Sequence, residues 1–284
     1  MTENERRNAI VYAKFNPITG EGSVGKRVKC TISDFPIHTQ WLPERIMKVP
    51  LVRQLIEAGS ISKFLTDYMG VEDNQDDRLK VIEQFVRIRS REDFPFWAAT
   101  FVYIKAKGGG EDVLFRLTRP QRRLWIGLRN CVLQGTDTHH LLKARQWGGS
   151  TTSQLYMAWL QLLHKTGLNS LIIAHQGAGS DEIKDMFDRM IKSYPVEMLY
   201  KIDEAYNENE PKIVGVGKSG SISRIPQRNC KIKIGTLNAR IRVVAVITIL
   251  YISPKWEYGR LRRERNRKTL CAPPVRVFSS SPTP

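Results

Sequence analysis

Leu141 to Leu155 read LLKARQWGGSTTSQL, a stretch that joins a short apolar run to a long amphipathic one through two adjacent glycines. The run HHLLKA (139–144) is read as a buried strand, RQWGGS as a glycine turn, and TTSQLYMAWLQLLHKT (151–166) as a long helix. A glycine turn between a strand and a helix N-terminus aims backbone N–H groups and the positive end of the helix dipole at an anion. The usual phosphate loop closes on Gly-Lys-Ser/Thr, whereas here Gly148 is followed by Gly149, so the expected lysine is missing. The cations stand earlier, at Lys143 and Arg145, within reach of phosphates held by the Gly148-Gly149-Ser150 backbone. Ser150 or Thr151 would then supply the hydroxyl that ligates Mg²⁺. The plainer alternative is a glycine turn flanked by two basic surface residues.

The same alternation continues on both sides. PQRRLWIGLRNCVLQ (120–134) reads as a helix begun by Pro120, NSLIIAHQ (169–176) as a strand, and SDEIKDMFDRMIKSY (180–194) as a helix opened by Ser180 with acids in its first turn. Strands alternating with helices predict a parallel sheet covered by helices. Toward the N-terminus, FVYIKAK and DVLFRLT flank the glycines at 108–110 and read as strands, and RLKVIEQFVRIRSREDF reads as a helix ending near Phe94. In LVRQLIEAGSISKFLTDYM, Leu51, Leu55, Ile56, Leu65 and Met69 fall at helical spacing, which predicts two short helices around Gly59. Such a pair is laid out like a helix-turn-helix DNA reader, and is read here as packing. Residues 1–90 are expected to form a mostly helical accessory region.

KARQWGGST (143–151) resembles the deviant phosphate loop of phage large terminases, the ATPases that drive DNA into procapsids. FRLTRPQRRL (115–124) resembles the terminase adenine motif, a Pro-Gln pair ahead of the first strand. The likeness extends over roughly 92–236, taking in DFPFWAATFVYIKAKGGGEDVLF as the approach to the domain's first strands. The resemblance implies a P-loop NTPase fold of the RecA-like, ASCE kind over 91–236, a parallel sheet with helices on both faces, here incomplete. It implies ATP and Mg²⁺ as cofactors, Gln121 on the adenine edge, and Lys143, Arg145, Gln146, Gly148, Gly149, Ser150 and Thr151 around the phosphates, with Ser150 at Mg²⁺. Double-stranded DNA, a portal protein, a small terminase subunit and a homo-oligomeric ring are the partners it implies, and the bacterial host cytoplasm the place.

Charge supports an anionic partner. Forty-five Lys and Arg against 28 Asp and Glu give +17. Residues 237–284 hold ten of those bases and two acids, a local +8, which leaves 35 minus 26, or +9, for the rest. That basic tail, with Arg260, Arg262, Arg263, Arg265, Arg267 and Lys268 in a dense run, has neither the apolar content nor the periodicity to fold alone. Cys30, Cys131, Cys230 and Cys271 stand far apart without a C-x-x-C pair, so a reducing compartment is expected. No signal core and no apolar run near the roughly 20 residues of a membrane span is legible.

Several patterns are set aside. IVGVGKSG (213–220) contains G-x-G-x-x-G and Gly-Lys-Ser, but the β-like SISRIPQRNCKIKIG after it lacks the required helix, so a hairpin loop is expected. His38, His139, His140, His164 and His175 have no metal-ligand spacing, and His139 and His140 are read as strand-end or core residues. Tyr156, Trp159 and Leu160 are read as a core stripe.

A terminase ATPase also needs an acid at the end of a neighbouring strand, expected just past Gly235. LNARIRVVAVITILYISPKWEYG (237–259) is apolar enough for a strand but has no carboxylate before Glu257, so no catalytic acid is identified. A shifted reading frame from Asn238 through Glu257 permits, through synonymous codons, an apolar strand leading into an acid, with the single codon of Trp256 forcing a glycine. The expectation is therefore a terminase ATPase fragment, out of frame or truncated after about residue 236, that binds ATP and hydrolyses it poorly. A non-catalytic basic nucleic-acid-binding protein and an ATP-dependent helicase are the alternatives.

Overall fold

The computed structural model describes residues 14–22, 26–106, 109–134, 148–174, 177–195, 198, 214–216, 222–236 and 248–251. The chain is a mixed α/β protein, and among the described residues two hydrophobic clusters follow one another along the sequence.

The first cluster is built from a hairpin and three helices. Strands β1 (Arg27–Thr31) and β2 (Thr39–Pro43) pair antiparallel, with Val28 opposite Leu42 and Cys30 opposite Gln40. Helix α1 (Pro50–Ala58) starts on a proline, whose missing N–H costs nothing in a first turn, and stops at Gly59, whose left-handed φ of 72° lets its N–H reach back to Leu55 and Ile56. Helix α2 (Ile61–Phe64) is capped by Ser60, which accepts from the Lys63 amide at 3.2 Å. Both flank Gly59 as expected, and Val52, Leu55, Ile61 and Phe64 are buried, so the pair packs inward. Met69 departs from its expected place in the stripe and stands exposed. The chain widens into a π-turn over Leu65–Met69, which breaks the 3.6-residue phase that would have carried Met69 inward. Helix α3 (Gln75–Glu92) begins at Asn74, which accepts from the Asp77 amide at 2.9 Å, and buries Val81 and Phe85 against the hairpin residues Cys30, Ile32 and Leu42. Strands β1 and β2 are a component that the mostly helical expectation did not contain.

The second cluster begins one residue past α3. Asp93 interrupts the helix, and Pro95 restarts it as α4 (Phe94–Phe101) where a strand approach was expected. Strands β3 (Tyr103–Lys105) and β4 (Asp112–Leu114) then form the expected hairpin beside the glycines. Helix α5 (Arg119–Gln134) and helix α6 (Gly149–Trp159) pack together. Helix α6 continues into a second π-turn, Leu160–His164. The strand expected at 139–144 lies outside the described residues. Strand β5 (Asn169–Ala174) leads to α7 (Gly177–Lys192), which starts three residues before Ser180. Ser180 is therefore inside the helix, and Asp181 and Glu182 fall past the first turn, because Gly177 begins the helical conformation earlier.

The expectation of a parallel sheet is corrected by the strand pairing. One five-stranded sheet runs in the order β6 (Val214–Val216), β7 (Ile222–Ile225), β8 (Cys230–Thr236), β5, β9 (Thr248–Tyr251). Among the described residues only β5 and β8 pair parallel, Asn169 opposite Lys231 through Ala174 opposite Thr236; β6–β7, β7–β8 and β5–β9 are antiparallel. The reason is connection length. Between β7 and β8 only Pro226–Asn229 intervenes, with Asn229 in the left-handed region at φ 48°, and so short a link permits only an antiparallel return. The β5-to-β8 connection contains α7, which is the crossover a parallel pair requires. Ile172, Ile232 and Ile234 meet Phe187, Met190 and Ile191 of α7 in the core.

Candidate nucleotide site

The site is built around the first residues of α6. Gly148 adopts φ 81°, a left-handed conformation that a side chain resists, and from there Gly149 enters the helix. The first-turn N–H groups of Gly149, Ser150 and Thr151 have no acceptor inside the helix, as in any first turn. The turn contains no acidic side chain and Gly148 supplies no side-chain cap, so among the described residues of this turn no side chain offsets the positive end of the dipole. Gly149 is buried, and Ser150 and Thr151 are half-buried.

Gln121 arrives at the same place from α5. Its Oε1 accepts from the Thr118 amide at 2.8 Å, and its Nε2 donates to the Gly148 carbonyl at 3.4 Å. The first contact is one half of a capping box, Thr118-x-x-Gln121, in which the third helical residue satisfies the N-cap amide. The second ties two helix starts 27 residues apart in sequence. Gln121 is buried at 5% exposure, so it is not a solvated helix glutamine. Thr152, which no motif singled out, also donates to the Gly148 carbonyl, from its amide and from Oγ1, each at 3.0 Å. Three donors on one carbonyl hold the glycine in place. A Cβ added at Gly148 would stand 2.3 Å from Gln121 Nε2.

The helices α5 and α6 also share an aromatic cluster with Phe94 of α4. Phe94 stacks on Trp125 at 5.7 Å and meets Tyr156 and Trp159 edge-on at 5.8 and 5.4 Å. Tyr156, Trp159 and Leu160 are buried in the core, as the stripe reading expects, and the Trp159 indole donates to the Ser90 carbonyl at 2.9 Å. His164 packs against Trp159 with ring centroids 4.1 Å apart. Burial, with Arg91 as the next contribution, pushes its pKa down to about 4.

A charged cluster that sequence reading did not find joins the two halves. Asp93, fully buried, accepts from both terminal nitrogens of Arg27 at 2.7 and 2.8 Å, a bidentate pair, and Arg89 Nε stands 3.6 Å from it. Arg89 also donates to Gln40 and lies 3.9 Å over the Phe96 ring. Its pKa is lowered to about 10, chiefly by burial, so it remains cationic at neutral pH.

The structure thus brings Gln121, Gly148, Gly149, Ser150 and Thr151 to one end of α6. Lys143, Arg145 and Gln146 lie outside the described residues, as do His139, His140, His175 and the basic run of the tail. The strands on either side of the glycines at 217 and 220 pair antiparallel, Val214 opposite Arg224, the arrangement of a hairpin. Among the described residues no group of three His, Cys, Asp or Glu side chains is placed to hold a metal, and no helix is long and apolar enough to cross a membrane. No protein-family model matches the chain, and no curated protein matches its sequence.

Proposed function

We propose that this chain is the nucleotide-binding part of a viral DNA-packaging motor of the large terminase kind. In that reading ATP lies with its phosphates at the start of α6 and its base toward Gln121, and the full motor couples hydrolysis to translocation of double-stranded DNA. The observation that supports it is the meeting of Gln121 with Gly148. The glutamine of the adenine-like motif and the glycine of the phosphate-loop-like motif, 27 residues apart, stand in hydrogen-bond contact.

The chemistry follows from the residue types. First-turn N–H groups at a helix N-terminus donate to polyphosphate oxygens without a proton change, and the cations Lys143 and Arg145 would offset its charge. The hydroxyl of Ser150 or Thr151 suits Mg²⁺ bridged to a phosphate oxygen. Binding needs only those groups. Hydrolysis also needs a carboxylate to orient water, and between Gly235 and Glu257 the chain has none. The chain is accordingly an ATP binder with turnover near background. A portal protein, a small terminase subunit and a ring of copies are the partners this reading carries with it.

Calorimetric titration with Mg²⁺ and ATP tests the assignment. Lys143→Ala and Arg145→Ala should each weaken binding about tenfold, the loss of one charge-assisted contact. Undiminished affinity in both variants would remove the site from the loop.

A further inference from the structure

The three central strands of the five-stranded sheet have two unlike faces. Burial alternates along β5, β7 and β8, with Ile172, Ile225, Ile232 and Ile234 buried on one side. That side lies against the helices: Ser223 Oγ donates to Asp188 of α7 at 2.8 Å, and Ser170 Oγ accepts from Gln161, just past α6, at 3.1 Å. The intervening residues, Asn169, Leu171, Ile222, Arg224, Lys231 and Lys233, alternate to the other side. Arg224 and Lys231 are exposed there and Lys233 is half-buried.

Register sets these cations side by side. Arg224 of β7 stands directly opposite Lys231 of β8, and Ile222 opposite Lys233. On the other flank β5 places Asn169 beside Lys231 and Leu171 beside Lys233. Opposed side chains start about 5 Å apart, and the next outward position along a strand is about 7 Å away. Like charges directly opposite each other weaken a sheet, and an acid at either position would strengthen this pair. None of the six outward residues is acidic, in a chain of net charge +17. The arrangement disfavours the isolated sheet and favours an anion laid across it.

We propose that the outward face of β7 and β8 is a docking surface for the phosphate backbone of double-stranded DNA, with Arg224, Lys231 and Lys233 each meeting a phosphate. Spaced cations on a flat sheet match a repeating anion better than a single small one. None of the six outward residues is aromatic, so the face offers no platform for stacking unpaired bases, which favours a duplex read through its backbone without regard to sequence. The choice of DNA rests on the motor reading, whereas the charge arrangement stands without it.

The test is a salt series of fluorescence titrations on the full chain with a short labelled duplex, alongside an ATP titration and a polyglutamate competitor. Arg224→Gln and Lys231→Gln should each reduce the slope of log affinity against log salt by about 0.9. Affinity should fall about eightfold near 0.1 M salt, the factor that such a slope spans over one decade of salt. Each variant should keep or raise the urea midpoint, because it removes a cross-strand repulsion, so lost binding is separated from lost folding. Wild-type duplex affinity and slope in both variants would overturn the proposal. So would an equal loss in Lys48→Gln, an exposed lysine of the first cluster, since the effect would then be net charge alone. If the two variants lose polyglutamate binding and keep the duplex, the partner is an acidic protein and the proposal fails. A wild-type chain that binds ATP but no duplex would sink this inference and leave the nucleotide site standing; one that binds the duplex through this face but no ATP would do the reverse.

Discussion

Gly148 shows how much a single backbone conformation can hold together. Its φ of 81° turns the chain into α6, and its carbonyl gathers Gln121 and Thr152. An alanine there would be forced into a left-handed conformation that costs about 1–2 kcal/mol, and its Cβ would displace the Gln121 amide. Gly148→Ala should therefore lower the denaturation midpoint by the equivalent of about 1–2 kcal/mol and weaken ATP binding, read by urea unfolding and calorimetry. Undiminished stability would mean that the turn is not held as described. At this scale the motif residues were legible: Gln121 and Gly148 both stood in recognisable strings. Thr152 was not, because a threonine one turn into a helix has no pattern of its own. Asp93 was not either, since its partner Arg27 is 66 positions away and belongs to no motif.

Helices with strong periodicity and glycine or proline punctuation, α1, α2, α5 and α6, fell close to where their residues predicted them. Strand order did not, because pairing is set by connection length and by partners distant in sequence. The restart of the helix at Pro95 was equally hidden, since DFPFW looks as extended as it looks helical. The junction it creates between α3 and α4 is where Asp93 stands between Arg27 and Arg89. Removing the carboxylate charge would leave the buried Arg27 and Arg89 guanidiniums without their carboxylate partner, and breaking a buried pair costs about 3–5 kcal/mol. Asp93→Asn should destabilise the chain by about that amount in chemical denaturation. A loss below about 1 kcal/mol would show that solvent reaches the pair and screens it.

Across the molecule, stability should also respond to acid. His164 is held neutral by burial and by surrounding arginines, with its pKa lowered to about 4 from an ordinary value of 6.5. Its unfolded form binds the proton first, so the native state loses stability as pH falls below about 6.5 and continues to lose it until about 4. In that window the slope approaches 1.4 kcal/mol per pH unit for one proton. His164→Gln should flatten the pH dependence of the melting temperature between about pH 6 and 4; an identical pH profile would assign the effect to other groups.

The central claim is that nucleotide binds at the N-terminus of α6, and amide hydrogen exchange on the full chain with Mg²⁺ and ATP reads that place directly. ATP should slow exchange at Gly149, Ser150 and Thr151, while phosphate release stays near background. Binding without protection at those amides, or no protection anywhere at saturating ATP, would contradict the account.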